Sequence, residues 1–240
     1  MPVGARATLF RAPVARSWHD PGVAEPHTPP NRRVILAGKT ISSIVANAPW
    51  AWPLIRRPVT RFFDSAAQGW DSRTGSASSE RLAALASAVL EVDRSPERIL
   101  DIGCGTGSAT VFLAREFPRA TIRGVDISPA MIHEARKKVG LDPEARIAFR
   151  EGDASQLPFP DAGFDLVTQN NMPVFFGEIS RVLRPGGYVV IASSLGRRTP
   201  FSTPESLIRR KFRRHGIVTT GTGAAGAGTW LVGRKEPQAR

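Results

Sequence analysis

The chain has 240 residues, of which 41% are hydrophobic, a length and composition typical of one α/β domain with accessory segments. Cys104 is the only cysteine, so an intramolecular disulfide and a cysteine-based metal cluster are excluded, and we expect no bound metal. The formal net charge is +12, but residues 1–63 contribute +7 and residues 197–240 contribute +8, whereas residues 64–196 carry −3. A basic groove across the whole domain, which nucleic-acid binding would favour, is therefore not indicated.

Residues 1–33 are expected to form an unstructured leader. They are rich in proline and show little apolar periodicity. Three arginines precede the first acid, which resembles an organellar targeting segment only weakly, and the continuous apolar core of a secretory signal is missing. No apolar run in the chain reaches the roughly 18–20 residues that span a bilayer. We therefore expect a cytoplasmic protein.

Residues 34–75 are predicted to form an N-terminal helical segment that is both apolar and basic. Proline removes a backbone donor and crowds the preceding helical turn. The pattern therefore predicts short helices that are broken at Pro49, Pro53 and Pro58.

Residues 76–240 are predicted to form the main domain, in which helices and strands alternate. An amphipathic helix is expected over 79–90, and Ser128 with Pro129 is typical of a helix start. Further helices are expected over 108–116 and 177–183, and buried strands over 98–103, 121–126, 146–153, 164–169 and 188–193. This alternation indicates a parallel sheet with helices on both faces.

The last forty residues follow a different pattern. After a turn at 184–187 and the fifth strand, a helix capped by Thr203 is predicted to run to about residue 215. Two strands follow, over 217–221 and 228–234, joined by a glycine-rich loop. Because such a loop is a hairpin-type connection, the sheet is expected to end in an antiparallel pair. The basic run 209–214 invites a nucleic-acid interpretation, but the solvated face of an amphipathic helix is the simpler explanation and is favoured.

A glycine-rich turn follows the first buried strand, at the point where the chain must enter a helix. Gly103, Gly105 and Gly107 remove side chains where a ligand can approach the backbone. Asp126 ends the second strand, where a carboxylate can accept hydrogen bonds from a ribose, and Asp153 follows the third, where one can meet an adenine amino group. The carboxyl ends of adjacent parallel strands open onto one crevice, so these residues are predicted to converge.

With these motifs, the sequence resembles the class I S-adenosylmethionine-dependent methyltransferases, and within them the ubiquinone/menaquinone C-methyltransferases. The resemblance covers about residues 60–195 and is carried by FFDSAAQGWD (62–71), ILDIGCGTG (99–107), GVDISPAMI (124–132), EGDASQLPFPDAGFDLV (151–167) and EISRVLRPGGYVVI (178–191). It implies an α/β fold with a Rossmann-like, doubly wound, seven-stranded sheet that is mostly parallel with one antiparallel strand. It also implies S-adenosyl-L-methionine as the cofactor.

The resemblance further implies a role for individual residues at the cofactor. Asp101 and the loop containing Gly103, Cys104, Gly105 and Gly107 would hold the methionine moiety. Asp126 would hold the ribose, Ile127 one face of the adenine, and Asp153 with Ala154 the adenine edge. Gln169 would lie beside the sulfonium, and Trp70 would close over the cofactor or pack on the sheet.

The methyl acceptor is less clearly indicated. Gln169, Asn170 and Asn171 follow the fourth strand and are candidates to orient an acceptor, but amides are poor bases, so no catalytic base is assigned. Segment 34–75 is the best candidate for a substrate lid. Its aromatic residues could enclose an apolar acceptor, rest on an anionic membrane beside neighbouring arginines, or simply pack on the sheet: Trp50, Trp52, Phe62, Phe63 and Trp70.

We therefore expect a methyltransferase that acts on a small lipophilic or aromatic acceptor, with no nucleic-acid partner. Two other hypotheses stay open at this point. The basic ends could recruit an RNA or a protein as the methyl acceptor. Alternatively, the protein could be a scaffold that binds the cofactor without catalysis.

Overall fold

A seven-stranded sheet forms the centre of the structure, a computed structural model that describes residues 30–140, 142 and 144–237. The strands are β1 (Arg98–Ile102), β2 (Thr121–Asp126), β3 (Ile147–Glu151), β4 (Phe164–Asn170), β5 (Leu183–Ser193), β6 (Ile217–Ala225) and β7 (Gly228–Lys235). Their order across the sheet is β3-β2-β1-β4-β5-β7-β6, and β7 alone runs antiparallel to its neighbours. The predicted α/β fold with one antiparallel strand is confirmed.

Eight α-helices surround this sheet in the described part of the chain. Four precede the first strand: α1 (Arg32–Asn47), α2 (Trp52–Ala66), α3 (Trp70–Thr74) and α4 (Ser79–Val89). The others connect strands: α5 (Ser108–Glu116), α6 (Pro129–Val139), α7 (Phe176–Val182) and α8 (Glu205–Arg214). None of the helices in the described residues is both long enough and apolar enough to cross a bilayer.

Three helices begin at side-chain caps that satisfy a free backbone N–H of the first turn. Ser128 accepts from the backbone N of Met131 at 3.1 Å, as expected for the start of α6. Ser78 caps α4 in the same way. Asn31 caps α1, so Arg32, which we had placed in an unstructured leader, is the first residue of a helix. The rest of the predicted leader, up to residue 29, lies outside the described residues.

The N-terminal segment contains fewer helix breaks than its prolines predict. The chain breaks at Pro49, where a single 3₁₀ turn separates α1 from α2. Pro53 lies in the first turn of α2, where no backbone donor is required, and Pro58 lies inside the continuous helix. The predicted breaks at Pro53 and Pro58 are therefore wrong. We define α1, α2 and α3, residues 32–74, as the cap.

Two corrections concern the sheet. The predicted turn at 184–187 is a bulge within β5, because the pairing with β4 shifts there and Gly186 has a φ of +76°. The glycine-rich segment after residue 220 is mostly strand, since β6 continues to Ala225 and leaves a short turn at Gly226, whose φ is +56°. The predicted glycine-rich loop is therefore wrong for residues 222–225, which belong to strand β6.

Helices on the two faces of the sheet create two main apolar cores. One face packs against α7, α8 and the cap, and the other packs against α4 and α5. The chain crosses from β1 to β2 on one side of β1 and later reaches β4 on its other side. Ligands of open α/β sheets bind at such a switch point, at the carboxyl ends of the strands. A ligand-binding cavity is therefore expected at the carboxyl ends of these strands.

Candidate functional site

A cavity of about 160 Å³ lies at the carboxyl ends of β1, β2 and β4, beneath the cap. The glycine-rich turn after β1 forms its floor, and residues 170–173, from the last residue of β4 onward, form one wall. The cap forms the roof through Trp52, Val59, Phe63 and Trp70. The structure thus brings the predicted glycine turn together with most of the other predicted residues.

The three glycines of the turn all have positive φ, but they are required for different reasons. A Cβ on Gly103 would lie 2.3 Å from Sδ of Met172, and a Cβ on Gly107 would lie 2.8 Å from Cζ of Phe149. Gly105, with a φ of +53°, has no heavy atom within 4 Å of the corresponding position. Gly103 and Gly107 therefore permit packing, whereas Gly105 leaves its backbone open to a ligand.

Asp126 lines the cavity and fixes the shape of the turn. Its two carboxylate oxygens accept hydrogen bonds from the backbone N of Gly105 and of Ser128, each at 2.9 Å. A carboxylate oxygen has lone pairs for more than one donor, so both oxygens can still accept from a ligand hydroxyl. Burial raises the pKa of Asp126 above its usual range, although these backbone hydrogen bonds oppose the shift.

Asp101 lies below the cavity, and its side chain is 1% exposed. Thr110 and Thr168 donate to its carboxylate at 2.7 and 3.0 Å. Burial raises the pKa of Asp101 to about 6, and the hydrogen bonds from the two threonines oppose that rise. Asp101 therefore ties β1 to α5 and β4, and it does not line the cavity that its predicted role would require.

Three small or apolar residues predicted at the cofactor line the cavity: Cys104, Ile127 and Ala154. Burial raises the pKa of the Cys104 thiol well above its ordinary value, so the thiol stays protonated near neutral pH. Cys104 therefore serves as a small, uncharged side chain in the cavity wall.

Asp153 does not line the cavity, although its neighbours Gly152 and Ala154 do, and it is already bound by the cap. Nε1 of Trp52 donates to its two carboxylate oxygens at 2.8 and 3.0 Å, and Arg56 forms an ion pair with it at 3.0 Å. Partial burial favours a higher pKa for Asp153, but hydrogen bonds from Ser155, Arg56 and Trp52 outweigh it and lower the pKa. A ligand amino group at Asp153 would thus share this carboxylate with Trp52.

The three amides at the end of β4 have different environments: Gln169 and Asn170 are its last two residues, and Asn171 follows it. Asn171, with a φ of +59°, exchanges two hydrogen bonds with Ser194 and so fixes the loop. Gln169 is 1% exposed and does not line the cavity; its Nε2 lies 3.4 Å from the carbonyl O of Pro173. Asn170 lines the cavity, and its buried Oδ1 has no hydrogen-bond partner among the described residues. Of the three, Asn170 is the one free to orient a bound molecule.

The aromatic residues of the cap divide into two groups. Trp52, Phe63 and Trp70 line the cavity, where Phe63 contacts the rings of Trp70 and Phe201 at 5.7 Å between centroids. Trp50 and Phe62 face solvent, with exposed fractions of 78% and 49%. From the sequence, these five side chains could enclose an acceptor, rest on a membrane or pack on the sheet. In the structure, three of them line the cavity and two are exposed to solvent.

Two cap carboxylates hold the cap to the helices beside the glycine turn. Asp64 accepts from Oγ of Ser128 at 2.6 Å, at the start of α6. Asp71 accepts from Oγ1 of Thr106 and from Nζ of Lys138, each at 2.5 Å. Although partial burial favours a higher pKa for Asp71, hydrogen bonds led by the one from Lys138 lower it. Both carboxylates close the cap over the cavity.

Sequence reasoning missed Trp52 as a partner of Asp153, and it also missed Phe175 and Phe201 in the cavity wall. Trp52 and Asp153 are separated by 101 positions, so no local spacing could have joined them. The basic run of α8 is the outer face of a helix that buries Ile208 and Phe212 against the sheet. That arrangement agrees with the simpler of the two interpretations of the run.

Comparison with known proteins gives two kinds of similarity. A family model described as "Methyltransferase domain" matches residues 99–187. The demethylmenaquinone methyltransferase of Deinococcus radiodurans is 36% identical over 204 residues, which are 81% of this chain and 76% of that protein. The fatty-acid O-methyltransferase of Mycolicibacterium smegmatis is 36% identical over 126 residues, 50% of this chain and 44% of that protein. The match thus spans less than half of the fatty-acid enzyme's length.

A solved structure shows the same fold. It is an S-adenosylmethionine-dependent methyltransferase from Aquifex aeolicus, with a TM-score of 0.57 and 19% identity over 72% of this chain and 98% of that one. At this level of identity the likeness concerns the fold alone.

Proposed function

Because the chain belongs to the class I S-adenosylmethionine-dependent methyltransferases and is similar to the quinone C-methyltransferases among them, we propose that it methylates a small lipophilic acceptor beneath the cap. S-adenosylmethionine is its cofactor. The observation that carries the proposal is the cavity itself, in which cap aromatics cover the glycine turn. The names of two relatives, which specify demethylmenaquinone and fatty acids, support a lipophilic acceptor.

The residues of the cavity fit the cofactor. The backbone at Gly105 is open, the oxygens of Asp126 can accept further donors, and Ile127 with Ala154 offers an apolar surface for a purine. When bound, the cofactor supplies an electrophilic methyl group on a sulfonium that needs no further activation. The protein then has to position the acceptor and exclude water.

One side chain at the end of β4 can position the acceptor, and aromatic side chains of the cap can exclude water. The free Oδ1 of Asn170 can accept a hydrogen bond from a hydroxyl or amino group of the acceptor other than its nucleophile, which would orient the acceptor at the end of β4. The side chains of Trp52, Phe63 and Trp70 cover the cavity and shield it from solvent. The cavity is smaller than the roughly 300–1,000 Å³ usual for ligand sites, so we infer that the cap moves outward to admit both molecules.

The cavity offers no obvious general base. Among the described residues that line it, Asp126 and Cys104 are the side chains that can ionise, and both are committed to the glycine turn. We therefore propose an acceptor whose nucleophilic group is already ionised near neutral pH, such as a carboxylate or an acidic phenol. An acceptor of that kind needs orientation but no proton removal by the enzyme.

Transfer of labelled methyl groups tests this function. The protein is incubated with S-adenosylmethionine carrying a radiolabelled methyl group and with extracts divided into lipid, RNA and protein fractions. We expect label in the lipid fraction, and at least tenfold less with Asn170→Ala, because the acceptor loses its orienting group. Label confined to RNA or protein would contradict a lipophilic acceptor, and no label with intact cofactor binding would favour a scaffold.

We also propose that the outer surface of the cap rests on an anionic membrane. Leu36, Trp50 and Leu54 expose 69%, 78% and 76% of their surface there. Exposed arginines on the same helices add positive charge: Arg32, Arg33, Arg57 and Arg61. Apolar side chains beside cations are typical of proteins that bind the interface of an anionic bilayer, from which a lipophilic acceptor could enter.

Co-sedimentation with vesicles checks this contact. We expect Trp50→Ser with Leu54→Ser to reduce binding to vesicles containing phosphatidylglycerol about tenfold, because two apolar side chains no longer enter the interface. Leu90→Ser is the matched control, since Leu90 is 80% exposed but lies at the end of α4, outside the cap. Equal loss in the control, or binding that is insensitive to salt and lipid charge, would contradict the proposal.

A further inference from the structure

A second cavity, of about 680 Å³, lies between α1, the start of α8, the end of β5 and the start of β7. It shares no lining residue with the cavity beneath the cap, and the segment containing Phe201 lies between them. Its apolar floor consists of Ile191, Ile208 and Leu231, each no more than 7% exposed. The site already described does not use this space.

The walls of this second cavity are lined with hydroxyl groups: Ser42, Ser43, Ser193, Ser202, Thr203, Ser206 and Thr229. Ser42 is 2% exposed, and its Oγ has no hydrogen-bond partner among the described residues. The buried Oγ1 of Thr203 is unpartnered as well. A buried polar atom without a partner destabilises the fold, so two such hydroxyls at one cavity point to a polar occupant.

The charges around the cavity favour an anion. Lys39 and Arg197 line it, and neither forms an ion pair within the part of the chain that the structure describes. Glu205 is the single acid of the lining, and Nε of Arg209 neutralises it at 2.7 Å. The lining therefore carries excess positive charge.

The start of α8 adds to this preference. Pro204 occupies the cap position, so no side chain accepts from the free backbone N–H groups of the first turn. Residues 204–206 line the cavity, which places the positive end of the helix dipole beside it. Helix end, cations and unpartnered hydroxyls thus all supply donors to one space.

We propose that this second cavity binds the phosphate or carboxylate group of a small molecule whose remaining part is apolar. Ser42 and Thr203 donate to the anion, Lys39 and Arg197 provide the opposite charge, and the apolar part lies on Ile191, Ile208 and Leu231. The proposal does not depend on methyl transfer. Free phosphate and an amphiphile with a phosphate head share this chemistry, and the experiment distinguishes them.

Calorimetric titration of the full chain tests the site with three probes: inorganic phosphate, dodecyl phosphate below its micelle concentration, and dodecanol. We expect dodecyl phosphate to bind, inorganic phosphate to bind at least tenfold more weakly, and dodecanol not to bind. Thr203→Val and Arg197→Gln should each weaken dodecyl phosphate about tenfold, because each removes a donor to a charged group. Ser42→Ala should do the same without lowering the melting temperature, because it also removes a buried hydroxyl that has no partner in the unliganded protein.

The controls separate this site from other surfaces. Arg115→Gln removes an exposed cation on α5, and Leu90→Ser removes an exposed apolar side chain at the end of α4, outside the cap; neither should change the affinity. Equal binding of phosphate and dodecyl phosphate would assign the site to the free anion. The inference is overturned when no anionic probe binds, or when Arg115→Gln weakens binding as much as Arg197→Gln. Titration of each preparation with S-adenosylhomocysteine shows whether the cofactor site is intact, so failure of this inference is distinct from failure of the proposed methyl transfer.

Discussion

Asp126→Ala is expected to weaken the binding of S-adenosylhomocysteine by about 100-fold or more. The carboxylate lines the cavity at the end of β2, where two ribose hydroxyls can donate to it. Hydrogen bonds to a charged group contribute about 1.5–3 kcal/mol each, and a loss of about 2.7 kcal/mol is already a factor of 100. The substitution also removes the acceptor for the backbone N of Gly105, so the glycine turn loses its support from β2.

Calorimetric titration measures this effect, and two further variants separate its causes. Asp126→Asn keeps an oxygen that can accept from Gly105 but removes the charge, so its affinity should lie between those of the wild type and Asp126→Ala. Asp161→Ala is the matched control, because that carboxylate is 80% exposed and pairs with Arg181 away from the cavity. Unchanged affinity in Asp126→Ala would show that the cofactor does not bind where we place it.

The strands and the glycine turn could be predicted from the sequence because their signals are local. Residues 188–192 of β5 form a continuous apolar run, which is typical of a buried strand, and Ser128 followed by Pro129 is a helix start with a physical cause. The cavity floor follows from the same rule, since parallel strands end at one edge of the sheet. Asp126 was therefore placed at the site by its position at the end of a strand.

The roof of the cavity could not be predicted in this way. Trp52 reaches Asp153 only because α2 lies across the sheet, and that contact depends on packing between segments 101 positions apart. Pro58 lies inside α2, although its local preference is to end a helix, because the helix packs on the sheet through side chains such as Trp52. Tertiary packing thus decided both the course of the cap and the partner of Asp153.

The position of Asp101 also depends on tertiary packing that the local sequence pattern does not show. The sequence pattern placed it beside the ligand, since it immediately precedes the glycine turn. In the structure its carboxylate lies below that turn and accepts from Thr110 and Thr168. A buried carboxylate held by hydroxyl groups alone has no opposite charge to compensate for its lost hydration. The ionised carboxylate of Asp101 therefore destabilises the folded protein.

Asp101→Asn is expected to raise the free energy of unfolding by about 1–3 kcal/mol at pH 7.5. The pKa of Asp101 is about 6 in the folded protein, above the ordinary value of 3.8. The folded state thus binds the proton more tightly than the unfolded state, so ionisation above pH 6 lowers stability, by up to about 3 kcal/mol for a shift of this size. An amide removes that penalty, and its NH₂ group can donate to a threonine hydroxyl that has rotated.

The pH dependence of stability distinguishes this cause from simple repacking. As pH falls from 7.5 to 5, the contribution of Asp101 should stabilise the wild type by about 1.4 kcal/mol, because the proton binds to the folded state in the window between the two pKa values. Asp126, whose pKa is also raised, acts in the same direction, whereas Asp71 and Asp153, whose pKa values are lowered, act against it. The informative quantity is therefore the difference between variant and wild type, measured by urea unfolding at both pH values. That difference should shrink by about 1.4 kcal/mol at pH 5 for Asp101→Asn and stay constant for the exposed control Asp161→Asn. A difference that does not change with pH would mean that Asp101 is not the group whose ionisation destabilises the fold.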